Sequence, residues 1–123
     1  MLLELDCGNT LIKWRRLDRQ GRVRDRDMAP DLVELQCLLG GQEREIMGCR
    51  LVSVRSPAET QVVMDQLTSW LKLHPVLAKS RAELSGVRNG YVDHGKLGMD
   101  RWLALVAGYN HCRRACVVID LGT

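Results

Sequence analysis

The sequence predicts a mixed α/β fold, a five-stranded sheet with helices on both faces. Three observations carry that prediction. Residues 2–28 hold three short runs of β-compatible residues separated by turn sequences, residues 30–78 alternate helical and strand periodicities, and an apolar run, Ala115 to Leu121, lies near the last residue. Successive strands followed by alternating helix and strand make a sheet whose first strands meander and whose later ones are joined by crossovers.

Each element has its own signal. Leu2 to Leu5 is apolar, Asp6-Cys7-Gly8-Asn9 is a turn sequence, and Thr10 to Leu17 is rich in β-compatible residues. Strand, tight turn, strand is the expectation. Gln20-Gly21 signals a second turn, and Arg22 to Met28 fits a polar edge strand. Pro30-Asp31 suits a helix start, with Leu32, Leu35, Leu38 and Leu39 at helical spacing and Gly40-Gly41 as the stop. Arg50 to Arg55, RLVSVR, alternates like a strand. Ser56 and Pro57 suit the cap and first turn of a helix carrying Val62, Val63, Leu67, Trp70 and Leu71, which His74-Pro75 ends.

Pro75 to Ala78 fits a short strand, and the stretch from Arg81 to Gly98, with Gly86, Gly90, Gly95 and Gly98, is expected to be a long irregular loop. Such loops inside small domains are usually functional. Met99 to about Tyr109 returns to helical spacing through Trp102, Leu103, Leu105 and Val106, and Ala115 to Leu121 is expected to be a buried strand. Three meandering strands followed by crossovers suggest the ribonuclease H-like layout.

Composition narrows the class of protein. With 123 residues, a chain can bury roughly two thirds of its unfolded surface. The sequence is 46% hydrophobic but has no Phe, so Leu and Val must fill the core and disorder is excluded. No apolar run approaches the ~20 residues of a membrane span, and the first residues lack the order of a signal peptide. A soluble, cytoplasmic protein with no membrane partner is expected. Cys7, Cys37, Cys49, Cys112 and Cys116 are odd in number and without CxxC spacing, which favours reduced thiols over a zinc site. The basic stretch from Arg15 to Asp27 alternates Arg with Asp and contains no aromatic residue, so a solvated hairpin is expected there and no nucleic-acid partner.

Two phrases repeat: LELDCGNT near the start and VVIDLGT at residues 117–123. A carboxylate ending a buried strand before a Gly turn brings together an anion fit for magnesium (Asp6), a close backbone approach (Gly8), and neutral donors (Asn9, Thr10), with Lys13 a few residues along. Successive N–H groups in such a turn cradle phosphate. A hairpin turn that simply prefers Asp, Gly and Asn is the alternative for the first copy alone. The second copy, with Asp120, Gly122 and Thr123 in the same spacing, favours two phosphate-binding turns. In LGMDRW, Asp100 stands where a carboxylate can take a substrate hydroxyl proton and Arg101 where it can clamp an anion. An acidic first helical turn with an exposed Arg would look the same.

Taken together, Asp6-Cys7-Gly8-Asn9-Thr10, Gly98-Met99-Asp100-Arg101 and Asp120-Leu121-Gly122-Thr123 resemble, in order and spacing, the DxGNT, GxDR and DxGT motifs of the type III pantothenate kinases. The resemblance spans the whole chain. It implies a ribonuclease H-like fold of the actin-like ATPase kind, within the superfamily of acetate and sugar kinases, heat-shock ATPases and actin. It also implies that residues 1–119 form an N-terminal domain and that residues 120–123 begin a second, similar one, so that the isolated 123 residues would be inactive.

By the same resemblance, Asp6, Cys7, Gly8, Asn9, Thr10, Leu11, Ile12 and Lys13 would form the first ATP phosphate loop, with Asp6 near the magnesium. Asp100 would be the general base for the pantothenate hydroxyl, and Tyr91, Gly98, Met99 and Arg101 would help hold that substrate. Asp120 would bind a monovalent cation, potassium or ammonium, and Thr123 would touch nucleotide phosphate. The implied cofactors are ATP with Mg2+ and the monovalent cation; the implied assembly is a homodimer. Two other functions remain open on the residues alone: a nuclease using Asp6, Asp100 and Asp120 as a two-metal cluster, and a regulatory protein without catalysis.

Overall fold

Along LLELDC the side chains of Leu3, Leu5 and Cys7 are buried while Asp6 is exposed, the two-residue period of a strand with one face on a core. In the computed structural model, which describes residues 1–121, this segment is β1 (Leu2–Cys7), the middle strand of a five-stranded sheet. Met1–Ala78 form one compact unit and the chain from Lys79 onward a second.

The first unit contains β1, β2 (Ile12–Leu17), β3 (Val23–Ala29), α1 (Leu32–Leu39), β4 (Gly48–Ser53), α2 (Pro57–Leu71) and β5 (Val76–Leu77). The strand order is β3-β2-β1-β4-β5. The first three strands pair antiparallel, and β4 and β5 add in parallel, so the sheet is mixed as expected. Local chemistry sets the helix ends. Asp31 caps α1 by accepting from the Glu34 N–H at 2.9 Å, and Gly40 closes it in the left-handed conformation at φ 55°. Ser56 and Glu59 form a reciprocal capping box at the start of α2, with Pro57 in its first turn.

The core of this unit joins Leu3, Leu5 and Cys7 of β1 to Ile12 and Trp14 of β2, Cys49 and Leu51 of β4, and the buried stripes of α1 and α2. Both helices therefore contribute to one cluster. The opposite face of the sheet carries Asp6, Lys13, Arg15, Arg26, Met28 and Arg50, all exposed. The expectation of helices on both faces is not met within Met1–Ala78. The reason lies in the outward positions themselves, which carry Glu4 and Asp6 on β1 and Lys13 and Arg15 on β2.

Three ion pairs tie down charge on the strands. Glu4 accepts from Arg15 and from Arg50, its neighbours on β2 and β4. On the core side Arg16 is buried and grips Asp25 with both Nε, at 2.8 Å, and Nη2, while its Nη1 donates to Gln42 at 2.5 Å. The hairpin expected to be merely solvated thus holds one fork-like contact.

In the second unit, β6 (Glu83–Leu84) and β7 (Val87–Arg88) form a small antiparallel hairpin, and α3 (Met99–Cys112) follows. The stretch 81–98 is therefore not wholly irregular. Ser85 at φ 49° and Gly86 at φ 83° are both left-handed, as a two-residue hairpin turn matched to strand twist requires. Asn110 of α3 donates to the Ser85 carbonyl at 3.0 Å and secures the turn. Helix α3 runs on past Tyr109 to Cys112, where Arg113 turns left-handed at φ 54°.

The strand expected over Ala115 to Leu121 does not form. Val117 is 87% exposed, Ile119 76% and Leu121 93%, and the run has no ladder partner among the described residues. A strand is a pairing, and apolar composition alone does not make one. No helix among the described residues is long and apolar enough to cross a membrane.

The ion pairs predict the acid limit of the first unit. Its hydrogen bond from Arg16 holds the Asp25 carboxyl below the usual range; burial would raise that of Glu4, but Arg15 and Arg50 outweigh it and hold it low as well. Stability from depressed carboxyls is complete above their unfolded values and is lost as pH falls through the folded ones, so melting temperature should drop below about pH 4. Asp25→Asn should cost about 1–2 kcal/mol at neutral pH and flatten that acid decline. Thermal melts at a series of pH values check this, and an unchanged acid slope in the variant would show that the pair is not involved.

Candidate functional site

Cys7 pairs with Ile12, so the connection between the first two strands is Gly8 to Leu11. The turn was expected two residues earlier, at Asp6 to Asn9. Cys7 corrects that placement, because its side chain is 0% exposed and takes the next inward position of β1. Burial pushes its thiol up to about 11, with a smaller opposing pull from Arg55 and a small upward one from Asp6. Cys7 and Ile12 therefore lend the turn packing, not polar side chains.

Within the turn, the Gly8 N–H donates to the Leu11 carbonyl at 3.0 Å and lies 3.2 Å from that of Asp6. A Cβ on Gly8 would stand 3.1 Å from the Leu11 oxygen, a tight contact that glycine avoids. Asn9, Thr10 and Leu11 are exposed. The N–H groups of Asn9 and Thr10 meet no protein acceptor among the described residues, and neither do their side chains. Asp6 and Lys13 sit opposite each other on the open face of the sheet, beside the turn.

One contact to this turn was not read from the sequence. Arg55, half-buried just beyond β4, donates from Nε to the Gly8 carbonyl at 2.7 Å. The parallel register of β1 and β4, with Cys7 beside Ser53 and the Val54 N–H on the Cys7 carbonyl at 3.2 Å, brings that side chain to the turn. Only the pairing carries this information. RLVSVR by itself marks a strand.

In the second unit the structure gathers the other motif residues onto one loop and the helix start that follows it. Tyr91 is 46% exposed, and its N–H donates at 3.0 Å to Asn89 Oδ1. Asn89 is a buried polar residue that the sequence did not single out; its N–H donates to the Ala82 carbonyl at 2.8 Å. Ser80 Oγ donates to the Leu97 carbonyl at 2.7 Å, bracing the loop just before Gly98. Gly98 caps α3, Met99 is half-buried, and Asp100 and Arg101 are exposed in the first turn. Asp100 Oδ1 accepts the Arg101 N–H at 2.8 Å.

Asp120 is exposed and lies in no regular element. Gly122 and Thr123 lie outside the described residues. Among the described residues no group of three His, Cys, Asp or Glu side chains is placed to hold a metal ion. All five cysteines are free thiols.

Comparison with known proteins decides what these motifs belong to. The family described as type III pantothenate kinase matches residues 2–123, a range that takes in all three motifs. The chain belongs to the type III pantothenate kinase family. It is 47% identical to the type III pantothenate kinase of Ectopseudomonas mendocina, 48% to that of Pseudomonas paraeruginosa and 42% to that of Azotobacter vinelandii, in each case over 100% of this chain and 50% of the relative. The chain thus spans about half the length of the curated relatives it matches.

Thiol chemistry tests the placement of the turn. Burial pushes the Cys7 thiol up to about 11 and that of Cys49 up to about 12, whereas Cys37 and Cys116 are exposed. At about pH 8, iodoacetamide should modify Cys37 in the native protein and spare Cys7 and Cys49 until denaturant is added. Peptide mapping by mass spectrometry reads the result, and native labelling of Cys7 as fast as Cys37 would place that residue in an open turn.

Proposed function

We propose that this chain is the N-terminal part of an enzyme that transfers the γ-phosphoryl group of ATP to the primary hydroxyl of pantothenate, giving 4'-phosphopantothenate, the first step toward coenzyme A. The family match across residues 2–123 carries this reading. The geometry supports it: the Gly8 turn, at the end of the middle strand, presents unpaired N–H groups to solvent. The order β3-β2-β1-β4-β5 supports a ribonuclease H-like sheet of the actin-like ATPase kind. On this reading a second such domain begins at residue 120, and the working protein is a cytoplasmic homodimer.

The roles follow from the chemistry each group has to offer. The N–H groups of Asn9 and Thr10, with their side chains, cradle the ATP phosphates. Asp6 is an exposed hard-oxygen donor beside the turn, suited to magnesium that keeps most of its water. Magnesium, when bound, neutralises charge on the transferring phosphates. Asp120 offers the same type of donor to potassium or ammonium, and Thr123 is assigned to nucleotide phosphate by its motif alone.

Asp100 is the general base. One carboxylate oxygen accepts the Arg101 N–H at 2.8 Å, which orients the group, and Oδ2 has no partner among the described residues and is left to take the hydroxyl proton. Arg101 and Tyr91 then hold pantothenate, the guanidinium against its carboxylate. The pre-set loop from Asn89 to Gly98 limits the ordering needed on binding.

The test uses the chain extended through its own reading frame. ADP formation should depend on pantothenate, magnesium and a monovalent cation, and Asp100→Asn should lower kcat by roughly 10²–10⁴ with the fold intact. A folded extended protein that forms no ADP in response to pantothenate would reject this function.

A further inference from the structure

The strongest uncommitted chemistry in the first unit is the guanidinium of Arg55. It is half-buried, and its Nε is spent on the Gly8 carbonyl at 2.7 Å. Its Nη1 and Nη2 have no hydrogen-bond or ion-pair partner among the described residues. Glu59, the acid close by in sequence, is committed elsewhere, accepting the Ser56 N–H at 3.1 Å and the Ser56 hydroxyl at 2.5 Å. Asp6 faces Lys13 across the strand pair. The charge of Arg55 reaches the Glu59 carboxylate without forming an ion pair, so a half-buried cation with free Nη groups adjoins a turn whose Asn9 and Thr10 N–H groups are also unpaired. Donors of both kinds suit an anion better than water or a carbonyl group.

We propose that Arg55 is a phosphate-binding residue of the nucleotide site, holding the Gly8 turn with Nε while its Nη groups meet the ATP phosphates. This rests on the reading of the Gly8 turn as the first phosphate loop and gives that loop a cation from β4's end. The guanidinium fork can serve a carbonyl and an anion at once, which a single ammonium cannot do as rigidly. Lys13, on the open face of β2 opposite Asp6, has no such contact with the turn backbone among the described residues.

The experiment measures MgATP affinity by calorimetry, together with steady-state kinetics in both substrates, for the chain extended through its reading frame and for Arg55→Gln and Arg55→Lys. Loss of the charged contacts should weaken MgATP roughly tenfold to hundredfold in Arg55→Gln, and less in Arg55→Lys, while KM for pantothenate stays near wild type. Unchanged MgATP affinity in Arg55→Gln, with pantothenate turnover intact, overturns the role of Arg55 and leaves the kinase standing. If the unsubstituted protein binds MgATP without turning over pantothenate and Arg55→Gln loses that binding, Arg55 stands and the pantothenate reading falls. If the unsubstituted protein binds no MgATP, both fall. Should Arg55→Gln not fold, Arg55→Lys decides: it keeps a cation but not the fork, so undiminished affinity overturns the proposal and weakened affinity supports it.

Discussion

The inward row of β1, Leu3, Leu5 and Cys7, underlies everything else in the first unit. These side chains pack under α1 and α2, and the same strand is paired along its whole length on both edges, to β2 and to β4. Burial of three such residues is worth several kcal/mol, because each removes most of its apolar surface from water. Slipping the strand by one residue would send Asp6 inward and Cys7 outward. Register and burial therefore enforce each other, and the place where the strand stops is set with the same certainty.

That stopping place is where the candidate site begins. Cys7 is the last inward residue of β1, the chain leaves the sheet at Gly8, and a Cβ there would crowd the Leu11 carbonyl at 3.1 Å. Because β4 runs parallel to β1, its end arrives at the same edge of the sheet and delivers Arg55 to the turn. Ligand sites at the carboxyl ends of parallel strands follow from this general geometry: strand ends converge, and backbone N–H groups there are released from the ladder. The loop of the second unit reaches a similar state by other means, with a buried Asn89 and the Ser80 hydroxyl satisfying carbonyl and amide groups that a loop would otherwise leave to water.

Much of this was legible from residue order. The helix starts at Asp31 and Ser56 and the glycine stop at Gly40 are local signals, and each appears where the sequence puts it; the first two strands are present too, with the turn between them shifted. The errors share a cause. Asp6-Cys7-Gly8-Asn9 has turn-forming residues, but core packing claimed Asp6 and Cys7 for the strand. Ala115 to Leu121 has strand-forming residues, but no strand pairs with it among the described residues. The hairpin at Ser85-Gly86 was hidden because its strands are two residues each, too short for a period to show.

The sequence by itself determined the class of fold, the helix starts, and the three motifs that mark the family, because caps, alternation and short motifs are properties of neighbouring residues. Only the tertiary structure decided that both helices of the first unit share one face of its sheet, that Cys7 and Ile12 serve the core beside the turn, and that Arg55 holds Gly8. Those outcomes depend on which strand lies beside which, and at what register. Pairing between residues nearly fifty positions apart is settled by packing energy, which no short stretch of sequence displays.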